Sequence, residues 1–215
     1  QNPRQVLVTS FATTNPKGFG LMQRDRQWSS YEDVEARYER RPSAWVRPLH
    51  HWGPGRVELV QLPTPDETHD NVVAYWVPQQ LPAPGTPLEV SYELAWQGDE
   101  QQRPPSAWAT QSRKGVGYTQ QSAEALRTQV QYVVDFTGPA LHDLKADAPI
   151  KAVVTSNANG RVLESGVYRN PATGQWRMTL RVERLRKDQP IELRAFLQHL
   201  QHAVSETWTH VILPE

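Results

Sequence analysis

Cysteine is absent from the 215-residue chain. This absence excludes disulfides, thiolate nucleophiles and cysteine-ligated zinc, although it fits a reducing compartment and a periplasm equally well. Net charge is absent too, because 23 Lys and Arg residues balance 23 Asp and Glu residues. No whole-molecule field therefore attracts nucleic acid or an anionic membrane, and we expect a partner that is uncharged or locally matched in charge.

Long apolar runs and nucleotide-binding motifs are also missing. No run approaches the roughly 20 apolar residues that a membrane-spanning helix needs. The chain opens on Gln1 rather than Met, which suggests a processed or truncated polypeptide. The motifs GxSxG, Walker A and GxGxxG do not occur, which disfavours serine hydrolases, P-loop NTPases and dinucleotide enzymes, and no cofactor is expected.

Aromatic side chains with a polar tip are abundant, since eight Trp and seven Tyr stand against four Phe. Such rings favour surfaces with one wet side, including platforms for sugar rings, and they also fill β-sandwich cores. The residues considered for sugar stacking are Trp28, Trp45, Trp52 and Trp76. Core packing is the default expectation for each of them.

Short apolar, β-branched segments bounded by turn residues predict an all-β chain. The first of them are VLVTSFA (6–12), RVELVQL (56–62) and NVVAYWV (71–77). The stretch QQLPAPGTP (79–87) interrupts the pattern, so we place a domain junction there, between residues 1–80 and 81–215. The segments beyond it, from LEVSYELAW to ETWTHVIL, are typical of an immunoglobulin-like β-sandwich. Residues 1–80 offer too few strands to close a domain, so they are predicted to finish a larger one whose start is missing.

One helix is predicted over residues 31–40, because Tyr31, Val34 and Tyr38 are spaced to form one apolar stripe on a helix. Ser29-Ser30 would form its N-cap and Pro42 its stop. The basic residues around it are Arg24, Arg26, Arg37, Arg40 and Arg41, and we expect most of them to pair with Asp25, Glu32, Asp33 and Glu35. Arginine forks also suit polyhydroxylated rims, which makes Arg24 a candidate for substrate binding.

Three carboxylates and a histidine crowd the loop PTPDETHDN (63–71). Glycosidic cleavage needs one carboxylic acid to protonate the leaving oxygen and a second carboxylate to act on water or on the sugar. Asp66 and Glu67 are explained by a capping box on a single helical turn that starts at Thr64. Asp70 lies beyond that turn and is the candidate acid, with an Asx-turn to Asn71 as the alternative. The spacing around His69 matches neither an EF-hand nor HExxH, so no metal site is expected.

Four stretches of the chain carry a family resemblance: GFGLMQRDRQWSSYEDVEARYERRPSAWV, GRVELVQLPTPDETHDNVVAYWVP, VVDFTGP and SETWTHVILPE. They resemble the periplasmic glucan biosynthesis G and D proteins (OpgG/OpgD, also called MdoG/MdoD), and QRDR is more similar to the D branch. The resemblance implies a periplasmic protein with a large, mutarotase-like β-sandwich and a smaller immunoglobulin-like domain. The chain would hold the end of the first and all of the second.

The resemblance also implies chemistry on linear β-1,2-glucan with inversion at the anomeric carbon, by an endo-glucanase or by a transglycosylase that makes cyclic products. Asp70 matches the family's general acid and Tyr38 matches a tyrosine that passes a proton toward the base. No position of the chain matches the base, an Asp of the N-terminal stretch, so the isolated chain is expected to lack glucan-cleaving activity and to belong with an upstream segment of the same protein. The substrate-binding candidates are Glu67, Arg24, Trp45 and Trp76.

A non-catalytic role remains as the third hypothesis. In it, the chain belongs to a glucan-binding scaffold for a membrane glucan synthase, with the immunoglobulin-like domain as the contact surface. Replacement of Asp70 by Asn would then leave function intact, whereas it would abolish turnover in either enzyme.

Overall fold

The computed structural model describes residues 3–66, 68–100, 103–117 and 122–214. Strands dominate it, as predicted, and the chain divides into two compact units, residues 1–102 and 103–215. This division lies later than the predicted junction, because the strand at Tyr92–Gln97 pairs with Ser43–Pro48 of the first unit. No helix of the described residues is long and apolar enough to cross a membrane.

The first unit contains two three-stranded antiparallel sheets. Its strands are β1 (Leu7–Thr14), β2 (Phe19–Leu21), β3 (Ser43–Pro48), β4 (Pro54–Gln61), β5 (Val72–Pro78) and β6 (Tyr92–Gln97). The sheet orders are β1-β4-β5 and β2-β3-β6. The predicted strands at 6–12, 56–62 and 71–77 are therefore confirmed as β1, β4 and β5.

The predicted helix over residues 31–40 is wrong. Two short 3₁₀ turns stand near its ends, at Trp28–Ser30 and Tyr38–Arg40. The Asp33 side chain accepts hydrogen bonds from the backbone N–H groups of the next turn, at 2.8 and 2.9 Å, and so competes with helical pairing. Glu32 and Arg37 have left-handed φ angles of 52° and 48°, which no α-helix accommodates.

The second unit is a β-sandwich. Its strands are β7 (Trp108–Gly115), β8 (Gln129–Thr137), β9 (Ile150–Ser156), β10 (Gly160–Arg169), β11 (Trp176–Arg184), β12 (Ile191–His199), β13 (His202–Ala203) and β14 (Trp208–Ile212), with short helices α1 (Ala123–Thr128) and α2 (Pro139–His142). One sheet has the order β10-β11-β8-β7, and in the other β12 pairs with β9, β13 and β14.

Alternate side chains of facing strands form the core of this sandwich. On β11 the buried residues include Trp176, Met178 and Leu180, and on β12 they include Ile191 and Leu193. This period of two buries one face of each sheet in the common core. The predicted sandwich is confirmed, although LEVSYELAW contributes its strand to the first unit instead.

Candidate functional site

The loop between β4 and β5 contains two described aspartates, Asp66 and Asp70, whose surroundings differ. Asp66 Oδ1 accepts hydrogen bonds from Thr68 N at 3.0 Å and Thr68 Oγ1 at 2.6 Å, and His69 Nδ1 lies 3.0 Å away. The hydrogen bonds from Thr68, and then the one with His69, hold the pKa of the Asp66 carboxyl below its ordinary value. Asp66 is therefore an ionised residue that fixes the turn.

The base of the loop is closed by a backbone bond from Leu62 N to Asn71 O, at 2.7 Å. Pro65 and Asp66 lie in a bend, and Glu67 is outside the described residues. The predicted capping box from Thr64 to Glu67 stays a prediction, because one of its two partners lies outside the described residues. The substrate-binding role of Glu67 stays a prediction.

Asp70 follows that turn directly, on the exposed surface just before β5. Among the described residues, no hydrogen bond joins its carboxylate to the backbone N–H of Val72, which is the bond that the alternative Asx-turn across Asn71 requires. Its carboxylate is thus placed by the closed loop and faces solvent, while the turn itself is held by Asp66.

Tyr38 begins the second 3₁₀ turn and is half-buried. Its ring lies 6.0 Å from that of Tyr31, and the Arg41 guanidinium lies 4.3 Å above its centroid. Tyr31 and Tyr38 of the predicted apolar stripe are therefore close together although no helix forms. Val34, the third residue of that stripe, is 73% exposed. The base toward which Tyr38 would pass a proton matches no position of this chain, so the proton relay stays a prediction.

The two tryptophans proposed to bind substrate are half-buried and pack closely on backbone. A Cβ placed at Gly18 would lie 2.3 Å from the Trp45 ring, and one at Gly55 would lie 2.5 Å from the Trp76 ring. Trp76 also lies 5.9 Å from Trp52. The structure thus gives both rings a packing role, and their contact with substrate, like that of the exposed Arg24, remains a prediction.

A pocket of about 390 Å³ in the first unit was not predicted from the sequence. Its lining residues are Arg26, Trp28, Arg37, Glu39, Arg40, Gly98 and Asp99. We call it the Glu39 pocket. The sequence signal was weak, because Glu39 occurs in an ordinary charged run and Asp99 follows it by 60 positions.

Glu39 is the buried centre of this pocket, with 8% of its surface exposed. Its Oε1 accepts from Arg37 Nε at 2.6 Å and lies 3.8 Å from Arg40 Nε. Burial acts to raise the pKa of the Glu39 carboxyl, but the bond from Arg37 and the charges of Arg37 and Arg40 outweigh burial and lower the pKa. Glu39 is therefore a carboxylate that the arginines keep ionised.

Arg26 ties this pocket to the sheet β2-β3-β6. Its Nη1 donates to Glu39 O at 3.2 Å, and its Nη2 donates to Ser43 Oγ at 3.2 Å and to Gln97 O at 3.4 Å. Arg26 Nε also lies 3.9 Å from Asp99 Oδ1. These arginines thus pair with Glu39 and Asp99, which the predicted pairing did not include.

The described residues contain no group of three or more His, Asp and Glu side chains that could hold a metal ion.

Comparison with known proteins places these features in a family. Residues 1–212 match the family MdoG, described as periplasmic glucan biosynthesis protein. The chain belongs to this family. A glucans biosynthesis protein G of Ralstonia nicotianae is 50% identical over 99% of this chain and 43% of its own length. Proteins of the same name from Pseudomonas aeruginosa and Pectobacterium atrosepticum are 45% and 44% identical over 97% of this chain and 41% of their own.

The protein is periplasmic, as the description of its family states, and membership in the family supports a role in glucan biosynthesis. The chain spans about two-fifths of the length of these relatives. All three carry the G name, which gives no support to the expected likeness to the D branch.

Proposed function

We propose that this chain supplies the general acid of a periplasmic, inverting endo-glucanase that cleaves linear β-1,2-glucan during glucan biosynthesis. The observation that carries the proposal is the contrast between the two aspartates of one loop. Asp66 accepts hydrogen bonds from Thr68 and so stabilises the turn, while Asp70 is exposed just before β5. Among the described carboxyl groups of the loop, Asp70 is therefore the one without a role in the turn, which leaves it available to a glycosidic oxygen.

A general acid must be protonated when the substrate is bound. A glucan chain lying over the loop would remove Asp70 from water, and desolvation favours the neutral carboxylic acid. Asp66 is unsuited to this task, because its hydrogen bonds from Thr68 stabilise the charged form. Tyr38 would pass the proton of the attacking water toward a base contributed by another part of the full-length protein.

Product analysis of linear β-1,2-glucan tests the proposal, with the full-length protein and its Asp70→Asn and Asp66→Asn forms. Asp70→Asn should abolish turnover, because an amide keeps the shape but has no acidic proton to donate. Asp66→Asn is the matched control and should retain most activity, because its amide oxygen still accepts from Thr68. NMR should show the α-anomer as the first product of the β-linkage, as inversion requires.

The products also separate the alternative functions. Masses that include one added water indicate hydrolysis, and cyclic masses without added water indicate transglycosylation, in which a sugar hydroxyl replaces water. Equal activity of wild type and Asp70→Asn would refute the role of Asp70. No product from any form would favour the non-catalytic scaffold.

A further inference from the structure

We propose that the Glu39 pocket is a subsite that holds one neutral, hydroxyl-rich sugar ring of the substrate. The identity of that sugar as part of a β-glucan rests on the function proposed above. The pocket measures about 390 Å³, within the range of about 300–1,000 Å³ that is usual for small-molecule sites.

Two buried side-chain atoms of residues that line the pocket have no hydrogen-bond partner among the described residues. They are Glu39 Oε2, an acceptor, and Arg26 Nε, a donor. Buried polar atoms in native proteins are nearly always paired, so each such atom calls for an explanation. A bound ligand that presents both a donor and an acceptor would satisfy both atoms.

A sugar hydroxyl has this dual character, because it donates one hydrogen bond and accepts others. One hydroxyl can donate to Glu39 Oε2 while a neighbouring hydroxyl accepts from Arg26 Nε. An anion such as phosphate would be attracted by the three arginines but repelled by Glu39 and Asp99, whereas uncharged hydroxyls meet neither repulsion. A cation is opposed by the three guanidinium groups of Arg26, Arg37 and Arg40.

Trp28 supplies the apolar surface that sugar rings stack upon. It lines the pocket and is 41% exposed. The Arg37 guanidinium lies 5.3 Å from its ring centroid, which holds the indole in place by a cation–π contact. Ring stacking and a buried carboxylate are thus combined in one pocket.

Backbone strain also marks this pocket. Arg37 has a φ of 48°, in the left-handed region that costs energy for a residue with a side chain. Its guanidinium nevertheless contacts both Glu39 and Trp28. Strain of this kind persists where the surroundings hold it, and it is concentrated at functional sites. The same turn begins with Tyr38, so the subsite would adjoin the proposed proton relay.

Binding of linear β-1,2-gluco-oligosaccharides to the full-length Asp70→Asn protein, measured by calorimetry, tests the subsite. Adding Trp28→Ala should weaken binding about three- to tenfold, the range for one lost aromatic contact, and Trp28→Phe should restore most of it. The matched control is Trp96→Ala, since Trp96 is 68% exposed on β6 and does not line the pocket. This control should bind like its parent. Glu39→Gln should also weaken binding.

Unchanged affinity in Trp28→Ala would overturn the subsite. A lower melting temperature at unchanged affinity would overturn it as well, because it would mean that another segment of the polypeptide fills the pocket. Binding of inorganic phosphate that depends on Trp28 would overturn the choice of a neutral ligand. If the wild-type protein cleaves the substrate and Trp28→Ala has an unaltered KM, the subsite is refuted and the proposed endo-glucanase is not. Trp28-dependent binding without any turnover would refute only the proposed endo-glucanase.

Discussion

The Asp135 carboxylate accepts hydrogen bonds from Arg177 Nε at 2.7 Å and Arg177 Nη2 at 2.8 Å. Arg113 Nη1 adds a third bond at 3.2 Å, and Asp135 is 3% exposed. The bonds from Arg177, opposed by burial, hold the pKa of the Asp135 carboxyl below its ordinary value. Two strands that flank β8, namely β7 and β11, are thereby tied to its buried carboxylate.

We predict that Asp135→Asn lowers the free energy of unfolding by about 2–3 kcal/mol, because it leaves a partly buried arginine without its counter-charge. Urea unfolding followed by tryptophan fluorescence measures the change. The control is Arg161→Gln, which removes an exposed pair with Glu183 and should cost less than about 1 kcal/mol. Equal effects of the two variants would contradict the prediction.

Asp135 should also make stability depend on acid pH. Its folded pKa lies below the unfolded value of about 3.9, so its contribution is present above that pH and is lost as pH falls through the folded pKa. Stability measured from pH 5 to pH 2.5 should therefore fall more steeply in wild type than in Asp135→Asn. Parallel curves would show that other carboxylates account for acid unfolding.

His210 predicts a second pH effect, at milder acidity. Its ring stacks on Trp208 at 5.6 Å and lies 4.7 Å from Tyr132. Burial, and then the charge of Lys114, lowers its pKa below the ordinary 6.5. Below pH 6.5 the unfolded chain takes up the proton first, so stability should fall as pH drops. His210→Phe should reduce the loss of melting temperature between pH 7.5 and pH 5.5, and an unchanged loss would contradict this assignment.

The second unit could be predicted from sequence, because short strand-like segments bounded by turn residues follow one another there. On β11 and β12 the structure adds an alternation of buried and half-buried residues. The helix over residues 31–40 failed for a local reason, since the Asp33 side chain caps the backbone and Arg37 adopts a left-handed φ. Neither event changes the spacing of Tyr31 and Tyr38 on which the helix was predicted.

The candidate site, like the fold, has one part that could be predicted from the sequence and one that could not. The position of Asp70 could be predicted, because its place after a turn and before a strand is local information, while its role as the acid stays a prediction. The Glu39 pocket could not, because it depends on Arg26 reaching the backbone of Gln97, 71 positions later. Contacts of that range are set by the pairing of β3 with β6, and local spacing carries no signal for them.

Ser43 supports the pocket from within the sheet and provides the final prediction. It is fully buried, and its Oγ accepts from Gln23 N at 2.9 Å and from Arg26 Nη2 at 3.2 Å. Ser43→Ala should lower the free energy of unfolding by about 1–3 kcal/mol, because two donors lose their acceptor.

Ser30→Ala is the matched control, since Ser30 is exposed, and it should stay within about 0.5 kcal/mol of wild type. Because Arg26 also lines the Glu39 pocket, Ser43→Ala should weaken oligosaccharide binding while Ser30→Ala should not. A loss of stability without any loss of binding would mean that Ser43 supports the sheet but does not position Arg26 for the ligand.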